Sequence, residues 1–187
     1  MIGATVSRTA HRWFVAIQVE VPDTQFYRRR TAHEINGIDL GIKSAATLSS
    51  GKAFDAPKPL KAALRRLKIR GRRISRKIES AKVAAGFAPG AKLPEGTRLP
   101  VSNNREKSAM ILARLHARIA DVRADFTHKL TTQLCRENQA VVIEDLHVKG
   151  MLANDKLARA ISDSGLWDVS FTARIQGKTL RHPTGHR

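Results

Sequence analysis

Two short apolar, β-branched runs bracket the middle of this chain, and each carries a carboxylate at or beside its end. One is GIDLGIKS around Asp39; the other is VVIEDLHVKGML around Glu144. Between them the apolar residues are spaced for helix, not strand. Runs of this kind read as strands and stripes stepping by three and four read as helices, so a sheet must be assembled across a long helical excursion. Strand backbone is held rigidly, which lets two acids from distant parts of the sequence converge on divalent metal ions.

The start of the chain is extended. Thr5 to Val21 contains Trp13, Phe14, Val15, Ala16, Ile17, Val19 and Val21, with alternation clearest from Val15. Pro22 and Asp23 end it. Nothing before Thr5 reads as a pairing partner, so the segment is expected to be the last strand of something larger. His33 to Phe54 reads as a β-meander: Glu34 to Leu40, then Ser44 to Leu48, then a turn at Ser49-Ser50-Gly51-Lys52 into a short third strand.

Pro57 and Pro59 open a helix. Its stripe is Leu60, Leu64, Leu67, Gly71, Ile74 and Ile78, with Gly71 as a weak point. The other faces are cationic: Lys58 to Lys82 holds eleven Lys or Arg against one acid, Glu79. Val83 to Asn104, with three prolines and three glycines, reads as a linker. A second helix is expected from about Arg105 to Asn138 with the stripe Leu112, Leu115, Ile119, Val122, Phe126, Leu130 and Leu134. The two helices read as an antiparallel hairpin, seam to seam. Val141 to Ile143 makes a short buried strand ending at Glu144, and Lys156 to Ser162 one more short helix.

Charge narrows the partners. Lys and Arg number 34 against 16 acids, a net charge of +18. Such an excess attracts phosphate backbones with a steep salt dependence. The single Cys135 excludes an internal disulfide or a cysteine-rich zinc site. No apolar run reaches membrane-spanning length, and no signal-peptide pattern opens the chain; a prokaryotic cytoplasmic or nucleoid location is expected.

Acidic metal ligands within a cationic protein point to chemistry on a polyanion, most simply nucleic acid. Mg²⁺ prefers hard carboxylate oxygens. In two-metal hydrolysis one ion activates water and the other stabilises the leaving oxygen. Gly41, after Asp39 and Leu40, leaves room for a phosphate. Glu144 is followed by Asp145, and alternation sends the two to opposite faces, so spacing alone does not choose between them. The same residues also fit structural roles, a turn cap for Asp39 and an Arg partner for Glu144. His33, His116, His128 and His147 read as surface or packing residues, Trp13 and Trp167 as packing residues, and His182 and His186 as part of a loose end.

In combination these motifs carry a resemblance. GIDLGIKSAATLSSGKAFDAPKPLKAALRRLKIRGRRISRK resembles the RuvC-like nuclease domain of TnpB proteins, the transposon-encoded OrfB family, which is similar to the nuclease lobe of type V CRISPR effectors. The likeness continues through NNREKSAMILARLHARIADVRADFTHKLTTQL and VVIEDLHVKGMLANDKLARAISDSG, and spans roughly Thr5 to Gly165. It implies an α/β, RNase H-like (RuvC) mixed sheet with a long antiparallel helical hairpin inserted at 58–138. Residues 31–165 would be the nuclease domain, 1–30 the end of a wedge-type β domain and 166–187 an aberrant or disordered tail. It further implies RNA-guided DNA cleavage with Mg²⁺, and DNA and guide RNA as partners. Asp39 and Glu144, rather than Asp145, match the family's catalytic metal ligands. Lys58, Lys61, Arg65, Arg66, Lys68, Arg70, Arg72, Arg73, Arg76 and Lys77 are the candidates for nucleic-acid contact.

There are departures. The family places a zinc ribbon with paired CxxC motifs and a third catalytic Asp beyond the position where this chain ends, and LWDVSFTARIQGKTLRHPTGHR carries no recognisable family pattern. His147 stands where Asn is usual, and the Gly/Pro loop is long. The expectation is therefore a truncated chain with an incomplete C-terminus, no zinc site, two of three carboxylates and little nuclease activity. The alternative is a non-catalytic basic DNA- or RNA-binding protein with vestigial acids.

Overall fold

The hairpin Gly3–Thr9 (β1) and Arg12–Gln18 (β2) pairs antiparallel with Val6 opposite Val15 and Arg8 opposite Trp13. The expectation of one long unpartnered strand is corrected here: the start of the chain pairs with itself. The turn is hidden in the sequence because Ala10 and His11 include none of the usual turn residues. Ala10 instead takes a positive φ of 55°, which an L-residue adopts at a cost of about 1–2 kcal/mol. The Arg8 side chain offsets part of that, donating to the Ala10 carbonyl at 3.1 Å and lying over the Trp13 ring. Trp13 is 66% exposed, not a packing residue.

These observations come from a computed structural model that describes residues 3–20, 34–144, 146–165 and 179–182. The chain divides into two compact units, Met1–Glu20 with Ala62–Ile119, and Val21–Lys61 with Ala120–Arg187. His33, Asp145, Trp167 and His186 lie outside the described residues, as does the end of the first extended run at Val21.

The second unit is built on a five-stranded mixed sheet. Glu34–Asp39 (β3), Ala46–Leu48 (β4) and Ala53–Phe54 (β5) form the antiparallel meander read from the sequence. Its turn closes at Gly51, with φ +86°, where the Leu48 amide donates to the Lys52 carbonyl at 2.9 Å. Asn138–Glu144 (β6) then pairs parallel to β3, and Thr179–His182 (β7) pairs parallel to β6, giving the order β5-β4-β3-β6-β7. The stretch read as a patternless tail thus contributes a strand, and His182 occupies the register position beside Glu144.

Two long helices separate β5 from β6: Pro59–Ala84 (α1) and Asn103–Glu137 (α2). Pro59 stands at the first helical position, where a missing N–H costs nothing. Gly86, Gly90 and Gly96 take positive φ in the loop between the helices, as its composition requires. In the first unit Lys77 Nζ donates to the Asn104 carbonyl (2.9 Å) and side chain (2.6 Å), tying the end of α1 to the start of α2. Two residues on, Glu79 accepts from Lys82 and from the Gly90 amide, and these bonds hold its carboxyl below its ordinary pKa.

Val148–Leu152 (α3), which no period announced, and Ala158–Ser164 (α4) complete the second unit. The core lies between one face of the sheet (Ile38, Leu40, Ala46, Leu48, Val141, Ile143) and Leu130, Leu134, Val148 and Ile161 from the helices. The α2 stripe is as expected except at Val122, which is exposed. The next residue, Arg123, turns inward instead and donates to the Ser162 carbonyl at 2.8 Å.

Candidate metal centre and nucleic-acid face

β3 and β6 run side by side with Asn36 opposite Val141, Gly37 opposite Val142 and Ile38 opposite Ile143. Parallel neighbours share a face, and faces alternate along each strand. Ile38 and Ile143 accordingly both point into the core. One residue further, Asp39 and Glu144 both reach the exposed face, at the ends of their strands. On its other side Asp39 pairs with Thr47 of β4. A cleft of about 450 Å³ opens there, lined by Asp39, Glu144, Thr47, Ser49 and Val142 among others. Two acids read from distant motifs are therefore brought to one cleft.

The donor set suits a hard cation. Two carboxylates and the Thr47 hydroxyl supply oxygen only, from paired strands, with Asp39 and Glu144 open to water, and Mg²⁺ keeps several of its waters when one or two carboxylates hold it. Among the described residues no group of three or more His, Cys, Asp or Glu gathers. Gly41, expected to leave room for a phosphate, has a nearer use. A Cβ there would come within 3.0 Å of the Ser44 carbonyl, so the chain's turn out of β3 needs the glycine.

The ten candidate cations divide by environment. Lys61, Arg65, Arg66, Lys68, Arg72, Arg73 and Arg76 are exposed along α1, whereas Lys58, Arg70 and Lys77 are half-buried. Lys77 is engaged by Asn104 and Ser108, which makes it a tie between helices before it is a phosphate ligand. Lys58 precedes the helix with a positive φ of 45° and carries no acceptor to cap it.

Two sets of polar residues carry no signal in the sequence. Asp163, 3% exposed, caps α1 from across the unit: its two carboxylate oxygens accept from the Leu60 and Lys61 amides, each at 2.8 Å. A carboxylate at a helix N-terminus satisfies orphan donors and complements the dipole. Asn36 and Asn138, earlier in the same two strands as the acids, are buried and bonded to each other at 2.6 Å. Each of these residues needs a partner that only the fold brings near.

Residues 91–155, which include Glu144, match the family model OrfB_IS605, described as "Probable transposase". The chain is 44% identical over 161 residues to a "Putative RNA-guided DNA endonuclease" of Streptomyces pristinaespiralis, covering 86% of this chain and 34% of that protein. It is 30% identical over 149 residues to the "Putative RNA-guided DNA endonuclease InsQ" of Escherichia coli (strain K12), covering 80% and 31%. A similarly designated protein of Mycobacterium tuberculosis (strain CDC 1551 / Oshkosh) is 30% identical over 177 residues, covering 89% and 34%. The chain spans about a third of the length of these curated relatives.

Proposed function

Through residues 91–155 this chain belongs to the OrfB_IS605 family of probable transposases, and on that premise we propose that it carries the metal-binding core of an RNA-guided DNA endonuclease. Asp39 and Glu144 hold Mg²⁺, the substrate is DNA, and guide RNA and DNA are met by the exposed cations of α1. The observation that carries the reading is the adjacency of Asp39 and Glu144 on one open cleft, reached from motifs at opposite ends of the helical excursion. The RNase H-like (RuvC) fold goes with it, supported by a mixed sheet whose paired strands β3 and β6 both end in acids. Residues 58–138 are then the inserted helical hairpin, and residues 1–30 the end of a wedge-type domain. A bacterial cytoplasmic or nucleoid setting follows from such substrates, and no described helix is long and apolar enough to cross a membrane.

The chemistry follows from the donors. Bound Mg²⁺ supplies water activation and stabilisation of charge on the phosphate oxygens. The chain's own part is to fix the two carboxylates on rigid strands and to leave the cleft open to a backbone. With two acidic ligands at this cleft among the described residues, affinity and positioning are weak, so the chain by itself cleaves DNA slowly or not at all.

Mn²⁺ binding to the full chain, read by electron paramagnetic resonance, tests the site without requiring turnover. Asp39→Ala and Glu144→Ala should each weaken binding by about tenfold or more, with the fold intact because both side chains are exposed. Any Mg²⁺-dependent DNA cleavage should vanish in Asp39→Ala. Equal Mn²⁺ affinity in wild type and both variants removes the metal reading. The second reading, a non-catalytic nucleic-acid-binding protein, is favoured by two separate facts: seven exposed cations on α1, and an acidic pair without a third member among the described residues.

A further inference from the structure

We propose that Asn36 and Asn138 form a register lock that aligns Asp39 with Glu144, positioning the acids without touching a metal or substrate; this rests on the reading of those acids as ligands. The need for a lock comes from β6 itself. Ala140, Val141, Val142 and Ile143 are apolar at four consecutive positions, so either face of this strand could enter the core. In β3, Ile38 and Leu40 set the core face, but Asn36 and Gly37 beside the β6 run give no apolar signal for where it aligns. Hydrophobic pattern, the usual determinant of register, therefore specifies the alignment of β6 along β3 only weakly. The consequence of an error is large. A slip of one residue turns Glu144 to the face away from Asp39, and a slip of two carries it about 6–7 Å along the strand.

A buried hydrogen-bonded pair supplies what pattern does not. Asn36 Nδ2 donates to Asn138 Oδ1 at 2.6 Å, with the two residues 7% and 1% exposed. The pair is anchored on both sides. Ser49 Oγ donates to Asn36 Oδ1 at 3.0 Å and accepts from the Gly37 amide at 3.2 Å, while Asn138 Nδ2 donates to the Leu134 carbonyl at 2.8 Å. Only the observed alignment satisfies all of these groups, because a slip would leave buried amides unpaired, and such groups are costly. The irregularity in the ladder lies at this same point. Glu34 pairs with Asn138 but Ile35 pairs with Ala140, so Gln139 is passed over just where the asparagines meet. A single buried Asn sets register between coiled-coil helices by the same physics.

The test uses the full chain, isotopically labelled, with two readouts. Cross-strand nuclear Overhauser effects between Gly37 and Val142, and between Ile38 and Ile143, report register; Mn²⁺ titration reports the acids. In the double variant Asn36→Leu/Asn138→Leu both amides become apolar, so the thermal midpoint should fall less than in either single alanine variant, by the loss of the bonds to Ser49 and the Leu134 carbonyl. The native cross-strand effects should weaken or be joined by effects one or two residues away, and Mn²⁺ affinity should fall about tenfold or more. A double variant that shows only the native effects overturns the proposal. If the double variant does not fold, Asn36→Ala and Asn138→Ala are read the same way, and native effects alone in both overturn it. A wild type that shows the native effects but binds no Mn²⁺ defeats the metal reading and leaves the lock to be judged by register.

Discussion

Asp163 is the residue whose role is most at odds with its neighbourhood in sequence. It belongs to a short run, Ser162-Asp163-Ser164-Gly165, that reads as a helix end, and α4 does end there with Gly165 at φ +68°. Yet its carboxylate serves a different helix, accepting from the amides of Leu60 and Lys61 because Lys58, in the cap position, has no acceptor. Removing a cap of this kind costs about 0.5–2 kcal/mol, and burial of Asp163 places it toward the upper end. Asp163→Ala should therefore lower unfolding stability by about 2 kcal/mol, and Asp163→Asn by less, since the amide retains one acceptor. Urea titration measures both, and an unchanged midpoint for Asp163→Ala would show that the cap is dispensable. The acids of the cleft differ in this respect. Asp39 and Glu144 are candidates in the sequence because each lies at or beside the end of an apolar run, whereas Asp163, Asn36 and Asn138 act through partners about a hundred residues away in the chain.

Elements built on period are legible and those built on exceptions are not. α1 lies where its stripe and Pro59 put it, and runs on to Ala84 because nothing between Ile78 and Ala84 interrupts a helix. Gly71 sits in its middle with open space around its missing side chain, since a Cβ there would meet nothing within 4 Å. Gly71→Ala should thus stabilise the helix by about 0.5–1 kcal/mol, raising the thermal midpoint without altering the cleft. A lower midpoint would mean that α1 needs the glycine for an approach not visible in its surroundings. The β1–β2 hairpin is illegible because Ala10 adopts a conformation that composition gives no reason to expect. For α3 the reason is length, since five residues hold too little period to read. β7, a four-residue parallel strand, is recognisable only by the β6 edge it covers.

At the scale of the whole molecule, charge is the dominant quantity. A net charge of +18 acts at long range on any polyanion, and the seven exposed cations of α1 concentrate it on one element. Affinity for duplex DNA should fall linearly on a log–log plot against salt. Replacing Arg65, Arg66, Arg72 and Arg73 by Gln should flatten the slope by about one for each phosphate that is no longer neutralised. A slope unaffected by the four substitutions would remove α1 from the interface. Sequence by itself determined the meander, the two long helices and the cationic face, because each is a local regularity of spacing or charge; it offered Asp39 by pattern and Glu144 over Asp145 only by resemblance. Tertiary structure decided that β6 lies beside β3 and in which register. It also decided that Asp163 caps a helix from across its unit and that β7 closes the edge. The apolar run of β6 is compatible with more than one alignment. Buried hydrogen bonds choose among alignments, and they exist only once both strands are in place.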